Sequence, residues 1–509
     1  MNSAQPPSKS SPSKSSFTRR QFLKASALAA GAATFGVPQL LRGQNLNSKL
    51  NIAAIGAMGK GQSDTDLCAS ENIVALCDVD KDYCASQLQK YPDAKYYQDF
   101  RKMLDEMGKS IDAVTVSTPD HFHAIAASAA MQLGKHVYCQ KPLTQTIFEA
   151  RHLRDLAERQ KVVTQMGNQG SSEDGLRRAV EVIQAGLIGT PREVHVWSDR
   201  PIWPQGIARP ADEDLVPAEL NWDLWLGPAP ARPFKKGVYH PFKWRAWLDF
   251  GTGALGDMAC HTVNMPFRAL QLGYPSVIEA TSSGVNGETY PLASKIRFEF
   301  PGRSNMTQAP KKGAELLFTH LAGTHQESSS SPITLWWYDG GKPQPENPRG
   351  GHDNSNKPPT DLTADVAALR GEVPKSGCLI IGDKGQVFSP DDYGTQFFVK
   401  LKGEEKFVFY QKHPALEAIP QTIPRNPFRG DADRRQHLEW IAAIKDNKPE
   451  RCYSRFSIGA HLTEIMLLGC IALRVGKKLE WDGPSMRARN VPEAAQFIKR
   501  NNRAGWAMA

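Results

Sequence analysis

An apolar, β-prone run from Lys49 to Ile55 (KLNIAAI) leads directly into Gly56-Ala57-Met58-Gly59-Lys60-Gly61. A helix-like stretch follows to Ser70, and a second apolar run, Asn72 to Cys77, ends at Asp78. Strand, glycine turn, helix, strand and acid in this order restrict the start of the chain to an open α/β sheet. The glycines let the backbone turn tightly, and the helix N-terminus faces a phosphate charge, contributing about 0.3–1 kcal/mol per charge. Asp78 stands 22 residues after Gly56, about where an acid accepts a hydrogen bond from a ribose hydroxyl. Gly56 and Gly61 take the outer positions of G-x-G-x-x-G, Met58 takes the middle one, and Gly59 is left to supply the close approach. Read alone, these residues also suit a glycine-rich surface turn. The acid favours NAD over NADP, because it would repel a 2′-phosphate.

The alternation continues. Ile111 to Ser117 reads as a strand, and Thr118-Pro119-Asp120-His121-Phe122-His123 turns into a helix reaching about Leu133, capped by Asp120 or Thr118. His121 and His123 are two apart and share no helix face. They read as turn or cap residues first and as cofactor neighbours second. Next comes His136 to Leu143 (HVYCQKPL), an apolar strand that ends in Lys141 against Pro142. Proline keeps the preceding residue out of the α region, so Lys141 is held extended. It falls at the carboxyl edge of the sheet, where ligands bind in open α/β folds. A helix over Ile147–Gln160, a strand over Val162–Met166 and Gly167-Asn168-Gln169 complete a parallel, doubly wound sheet.

The pattern then changes. A helix over Ser171–Ala185 ends at Gly186 to Gly189, and Arg192–Ser198 alternates like a strand. An aromatic stretch follows, with Trp203, Trp222, Trp225, Tyr239, Trp244 and Trp247. These rings suit stacking on a sugar and stapling loops to a core equally well. A glycine loop from Phe250 opens a helix carrying Asp257 and His261 four apart, on one face. A carboxylate beside a histidine orients it and tunes it for acid/base work. A purely structural helix pair is the competing reading, and half of a metal site the weaker one. Val277–Ser283, Lys295–Phe300, Leu316–His320, Thr334–Tyr338, Cys378–Gly382, Gly385–Phe388 and Phe397–Lys400 read as a mainly antiparallel sheet, interrupted by a Pro/Gly/Asn-rich insertion near 340–360. Helices over Asp431–Ile444 and His461–Val475 could pack back on the first half, and their lone histidines, His437 and His461, read as structural.

The chain has 509 residues, enough for two domains. Its net charge is +9, but residues 1–50 hold seven basic side chains and no acid, so the body carries no nucleic-acid-binding surface. The eight cysteines show no C-x-x-C spacing and read as small core residues. Residues 1–16 are Ser/Pro/Lys-rich, and Arg19-Arg20-Gln21-Phe22-Leu23-Lys24 precedes an apolar run, Ala25 to Val37. This resembles a twin-arginine export signal, too short and Ala/Gly-rich for a stable membrane anchor.

Together the glycine turn, Thr118-Pro119 with His123, Gln140-Lys141-Pro142, Gly186–Gly189 and Gly256-Asp257 with His261 resemble the Gfo/Idh/MocA family of sugar oxidoreductases, with a tail like the bacterial C-terminal variant. The resemblance implies a Rossmann domain over 48–169 and an α+β domain with a large open sheet over 170–490. A leader over 1–45 and a tail over 491–509 flank them. It implies NAD as cofactor, near Gly56, Ala57, Met58, Gly59, Gly61, Asp78, Thr118, Pro119, His123, Gln140, Lys141 and Asn168. Lys141 would polarise a hydroxyl or ketone, His261 would act as acid/base, and Asp257 would bind substrate or orient the histidine; no metal is expected. The family's usual glutamate is Gln140 here. The expected activity is hydride transfer on a sugar, polyol or glycoside by an exported, periplasmic protein, folded before passing the twin-arginine machinery and oligomeric through its sheet. Its cofactor would stay bound and be recycled. Two other readings remain at this point, an NAD-dependent glycoside hydrolase working through a transient 3-keto sugar and a non-catalytic sugar- or NAD-binding protein.

Overall fold

The computed structural model describes residues 49–302, 331–348 and 350–508. The leader and the expected strand over Leu316–His320 lie outside them. The first half alternates β1 (Asn51–Ile55), α1 (Lys60–Leu67), β2 (Asn72–Cys77), α2 (Ala85–Lys90), β3 (Lys95–Tyr97), α3 (Phe100–Met107), β4 (Ala113–Val116), α4 (Asp120–Gln132), β5 (His136–Cys139), α5 (Ile147–Gln160) and β6 (Thr164–Met166). These strands form one parallel sheet in the order β3-β2-β1-β4-β5-β6. The central strands are short apolar runs because both faces are covered. Ala53, Val114 and Val137 face one core, while their neighbours Ile52, Ala113 and Tyr138 face another. Helix α5 starts at a capping box in which Thr146 and Glu149 satisfy each other's backbone N–H groups. Neither Thr118 nor Asp120 caps α4. Pro119 stands at that position, and Asp120 begins the helix and accepts from Thr252 Oγ1 at 2.6 Å.

The second half contributes α6 (Asp174–Gln184), β7 (Pro191–Ser198), α7 (Trp222–Leu226), α8 (Gly253–Thr262), α9 (Asn264–Ala269), β8 (Val277–Ser282), β9 (Ser294–Phe300) and β10 (Ile333–Asp339). It continues with α10 (Thr360–Arg370), β11 (Gly377–Gly382), β12 (Gly385–Ser389), β13 (Phe398–Leu401), β14 (Val408–Phe409), α11 (Ala432–Lys445), α12 (Phe456–Val475), β15 (Leu479–Asp482), β16 (Arg487–Ala488) and α13 (Ala495–Ile498). Ten strands pair in the order β14-β13-β12-β11-β7-β10-β9-β8-β15-β16. All neighbours are antiparallel except β7 and β10. The alternating burial of SKIRFEF along β9 is that of a strand with one face on a core.

Two helices from the second half serve the first. Trp440, Ile441 and Ile444 of α11 share a core with Leu50, Ile52, Tyr138 and Val163. The sequence ranges therefore do not coincide with the packing, since α11 covers one face of the parallel sheet. Helix α12 packs against α5 on one side and α8 and β8 on the other. It is apolar and long enough to cross a membrane, yet 94% buried in its most apolar window, as a helix apolar on every side is in a core. All eight cysteines are buried free thiols.

Gly61 sets how closely α1 approaches the turn. A Cβ there would fall 1.7 Å from the Gly56 carbonyl oxygen. Gly61→Ala must therefore push the helix off the turn, at an expected cost of roughly 1–3 kcal/mol. A melting curve of the variant matching the parent's would contradict this account of the glycine.

Candidate active site

The parallel sheet presents its carboxyl edge to a cavity of about 360 Å3. One end is lined by Gly56, Met58, Gly59, Asp78 and Val79, and the other by Lys141, Asp257 and His261. Gly56 has φ +78° and, as a residue with a Cβ, would meet the Ser117 carbonyl at 2.8 Å. Asp78, at the end of β2, is buried. Its carboxylate accepts from Ala57 N at 3.0 Å and Asp80 N at 3.2 Å. Burial pushes its pKa up to about 6, against those N–H groups. Two hydrogen bonds leave lone pairs for ribose hydroxyls.

Not every expected cofactor residue lines this cavity. Gly61 and Ala57 shape the turn from behind. His123 is buried and ties the turn to the lysine loop, with Nδ1 2.9 Å from Pro142 O and Nε2 2.8 Å from Thr118 O. Burial lowers its pKa to about 4, and the neutral ring donates to one of these two carbonyl oxygens at a time. Asn168 is a buried joint whose Nδ2 donates to Cys260 O at 3.1 Å while its Oδ1 accepts from Ser454 Oγ. Sequence spacing places residues near a turn but does not say which side of it they take.

At the other end, Lys141 Nζ donates to Asp257 Oδ1 at 2.9 Å and to the Asp257 main-chain oxygen at 3.0 Å. Arg245 Nε adds a bond to the same carboxylate oxygen at 3.2 Å. Burial alone would raise the Asp257 carboxyl, but the Lys141 and Arg245 charges outweigh it and hold the acid well below the usual range. Asp257 therefore positions the lysine, and among the described residues it makes no hydrogen bond to His261. Both cations share its Oδ1. His261 is buried, its ring edge-on to Tyr393 at 5.1 Å. Its Nδ1 has no partner among the described residues, and nor does Thr118 Oγ1. Both residues line the cavity, but these two atoms are turned away from its open space.

The aromatic stretch divides between both readings. Trp203, Trp225 and Trp244 border the cavity but are buried in one core with Tyr239 and Trp247, whereas Phe242 lines the cavity and is exposed. Arg245 lies over the Trp244 ring at 4.2 Å and the Phe242 ring at 4.6 Å, which fixes its reach toward Asp257.

Gln140 and Lys60 lead to a network that sequence reading missed. Buried Asp64 accepts from Gln140 Nε2 at 2.8 Å, Ser117 Oγ at 2.6 Å and Lys60 Nζ at 2.6 Å. Lys60 Nζ also reaches Asp433 of α11 at 2.8 Å, and His437 Nε2 lies 3.4 Å from Asp64. Asp64, Asp433 and His437 are close enough to hold a metal ion, but the Lys60 ammonium supplies the positive charge there. The only sequence cue was an i,i+4 Lys60–Asp64 pair, and 373 residues separate Lys60 from Asp433. A glutamate at position 140 would set a second carboxylate against Asp64. Gln140→Glu is expected to cost on the order of 3 kcal/mol at neutral pH, and Asp64→Asn in the same chain should recover most of it. Thermal melts of the two singles and the double check this, and unchanged stability in Gln140→Glu would sink the explanation.

A glycine turn and an acid thus stand at one end of the cavity, with a lysine and a neutral histidine at the other, on a parallel sheet of the Rossmann class. Residues 50–168 match the model of the GFO_IDH_MocA oxidoreductase family, NAD-binding Rossmann fold, and residues 175–271 match the C-terminal alpha/beta domain of that family. These two regions are what the chain shares with the Gfo/Idh/MocA oxidoreductase family. It is 27% identical over 151 residues to inositol 2-dehydrogenase of Salmonella paratyphi B, covering 29% of this chain and 44% of that protein. It is 25% identical over 190 residues to levoglucosan dehydrogenase of Pseudarthrobacter phenanthrenivorans, covering 37% and 40%. The chain thus spans less than half the length of these relatives. Its fold resembles an inositol dehydrogenase homolog from Azotobacter vinelandii, solved with NADH and myo-inositol, with TM-score 0.54, 14% identity and coverage of 86% of this chain and 98% of that one.

Proposed function

We propose that the protein is an NAD-dependent oxidoreductase of a polyhydroxylated ring, a sugar, polyol or glycoside. The observation that carries this is one cavity joining the Gly56–Asp78 end to Lys141 and His261. Gly56, Gly59, Asp78 and Thr118 would hold NAD, and Asp78 disfavours a 2′-phosphate. Bound NAD would supply the acceptor for a hydride from an alcohol carbon. Lys141 holds and polarises the hydroxyl oxygen, while His261 takes its proton. Phe242, exposed at the cavity wall, offers an apolar ring to a sugar or polyol. Similarity to inositol and levoglucosan dehydrogenases supports this substrate class. The test is to purify the protein under native conditions, measure NAD(H) per chain after denaturation, and screen polyols and glycosides for reduction of added NAD. A protein that neither carries nor binds NAD would overturn the proposal.

The paired arginines Arg19-Arg20 before an apolar run support export by the twin-arginine route. Outside the cytoplasm the cofactor must stay bound and be recycled in place, requiring a dissociation constant near 1 nM, about −12 kcal/mol. A reporter passenger fused to residues 1–45 and left in the cytoplasm would remove that part of the proposal. The open sheet supports self-association, which sedimentation measures.

Asp120 adds a pH dependence. It lines the cavity, and burial raises its pKa to about 7. Below about pH 7 the carboxyl is neutral, and above it the cavity gains a negative charge. Oxidised nicotinamide carries a positive charge that the reduced form lacks. Affinity for the oxidised form relative to the reduced form should therefore rise severalfold from about pH 6 to about pH 8. Asp120→Asn should flatten the dependence, and equal slopes in parent and variant would contradict it.

A further inference from the structure

We propose that Trp506 walls the adenosine end of the cofactor cavity, and that residues 499–508 form a strap governing release of the bound dinucleotide. This rests on the NAD reading above. Trp506 is 4% exposed and lines the cavity with Phe100, Phe122 and Leu224. Phe100 opens α3 just after β3, the edge strand beside β2, which Asp78 follows. Lys141 follows β5, on the other side of β1. Trp506 therefore belongs to the ribose-acid end of the cavity rather than the reacting end.

Its ring is fixed from two sides. The Arg101 guanidinium lies 4.1 Å over it, and Phe122 meets it edge-on at 5.4 Å. Arg101 is itself held by Asp99, through Nε at 3.0 Å. The strap is tied to both walls. Arg500 pairs with Glu149 of α5 at 2.8 Å. Arg503 donates from its backbone to Pro228 O at 3.0 Å and from Nε to Gly227 O at 2.9 Å, in the loop following α7. Helix α7 carries Leu224 and Trp225, both in the cavity wall. The strap thus bridges the parallel sheet's helices and the loop facing them, with an aromatic ring and a stacked cation at the cavity's apolar end. An adenine base suits such an end, because a base packs on a wall of aromatic and apolar side chains.

The test is a chase. Full-length protein is loaded with NADH, mixed with excess NAD in a stopped-flow instrument, and followed by NADH fluorescence. Trp506→Leu should speed release about tenfold, in the range expected of base–aromatic stacking, and Trp506→Phe by less than about threefold. Reduced nicotinamide mononucleotide, which lacks the adenosine, should leave both variants at the parental rate. If Trp506→Leu does not fold, as judged by melting without cofactor, Arg101→Ala decides, with faster NADH release expected. NADH release from a folded Trp506→Leu, or from Arg101→Ala in its place, at the parental rate overturns the proposal while leaving the NAD reading intact. A parent that binds no NADH overturns both.

Discussion

Lys141→Met is expected to lower kcat about a thousandfold while leaving NADH affinity within about threefold of the parent. A lysine ammonium has three N–H donors. Two are used, on Asp257 Oδ1 at 2.9 Å and the Asp257 main-chain oxygen at 3.0 Å. The third remains for the cavity that Lys141 lines. A donor already oriented toward an oxygen gaining negative charge contributes about a hundred- to a thousandfold in rate, and a charged donor lies at the upper end. Methionine keeps the length and removes every donor. Asp257 keeps Arg245 as a partner, so the variant should fold. Lys141→Arg should not rescue, because a planar fork cannot occupy the same three-way point. Steady-state kinetics beside an NADH titration separate the two effects. A kcat within tenfold of the parent's would remove Lys141 from the chemistry.

His261→Asn is expected to cost about a hundred- to ten-thousandfold in kcat for alcohol oxidation. Burial first, and the Lys141 charge second, hold the His261 pKa well below its ordinary value. The ring is therefore neutral at about pH 7 and can accept a proton. Its Nδ1 is sealed in the protein, so the acceptor toward the cavity is Nε2. The sign follows from the depressed pKa. An ordinary histidine would protonate and lose activity as pH falls through about 6.5, whereas this one loses it only at lower pH. His261→Asn should lower the whole rate profile without shifting a limb near about pH 6.5. A parental kcat that halves with a midpoint at about pH 6.5, and a variant lacking that limb, would show that the native ring is not held neutral.

Much of this site was readable along the chain because its parts are local. The glycine turn, the acid at Asp78 and the lysine before Pro142 each depend on a strand ending where its apolar run ends. The strands β9 and β10 show their alternation directly. Relations across the fold were not readable. Asp257 and His261 share a helix face, and their spacing suggests a pair, but Lys141 and Arg245 arrive from elsewhere and take the carboxylate. Gln140 departs from the family's glutamate in sequence, and only the contact with Asp64 accounts for it. His123 and Asn168 are near the turn in sequence and behind it in space.

The sequence by itself determined the class of fold and the cofactor half, and it put Lys141 at a strand end and His261 on the helix that follows a glycine loop. These follow from backbone chemistry and hydrophobic period, which act over a few residues. The tertiary structure alone decided that α11 covers the parallel sheet, that Lys60 neutralises Asp64 and Asp433, that Asp257 serves the lysine, and that Trp506 returns to the cavity. Each depends on side chains brought together from distant positions, where burial strips away water and lets the strongest available charge or contact win.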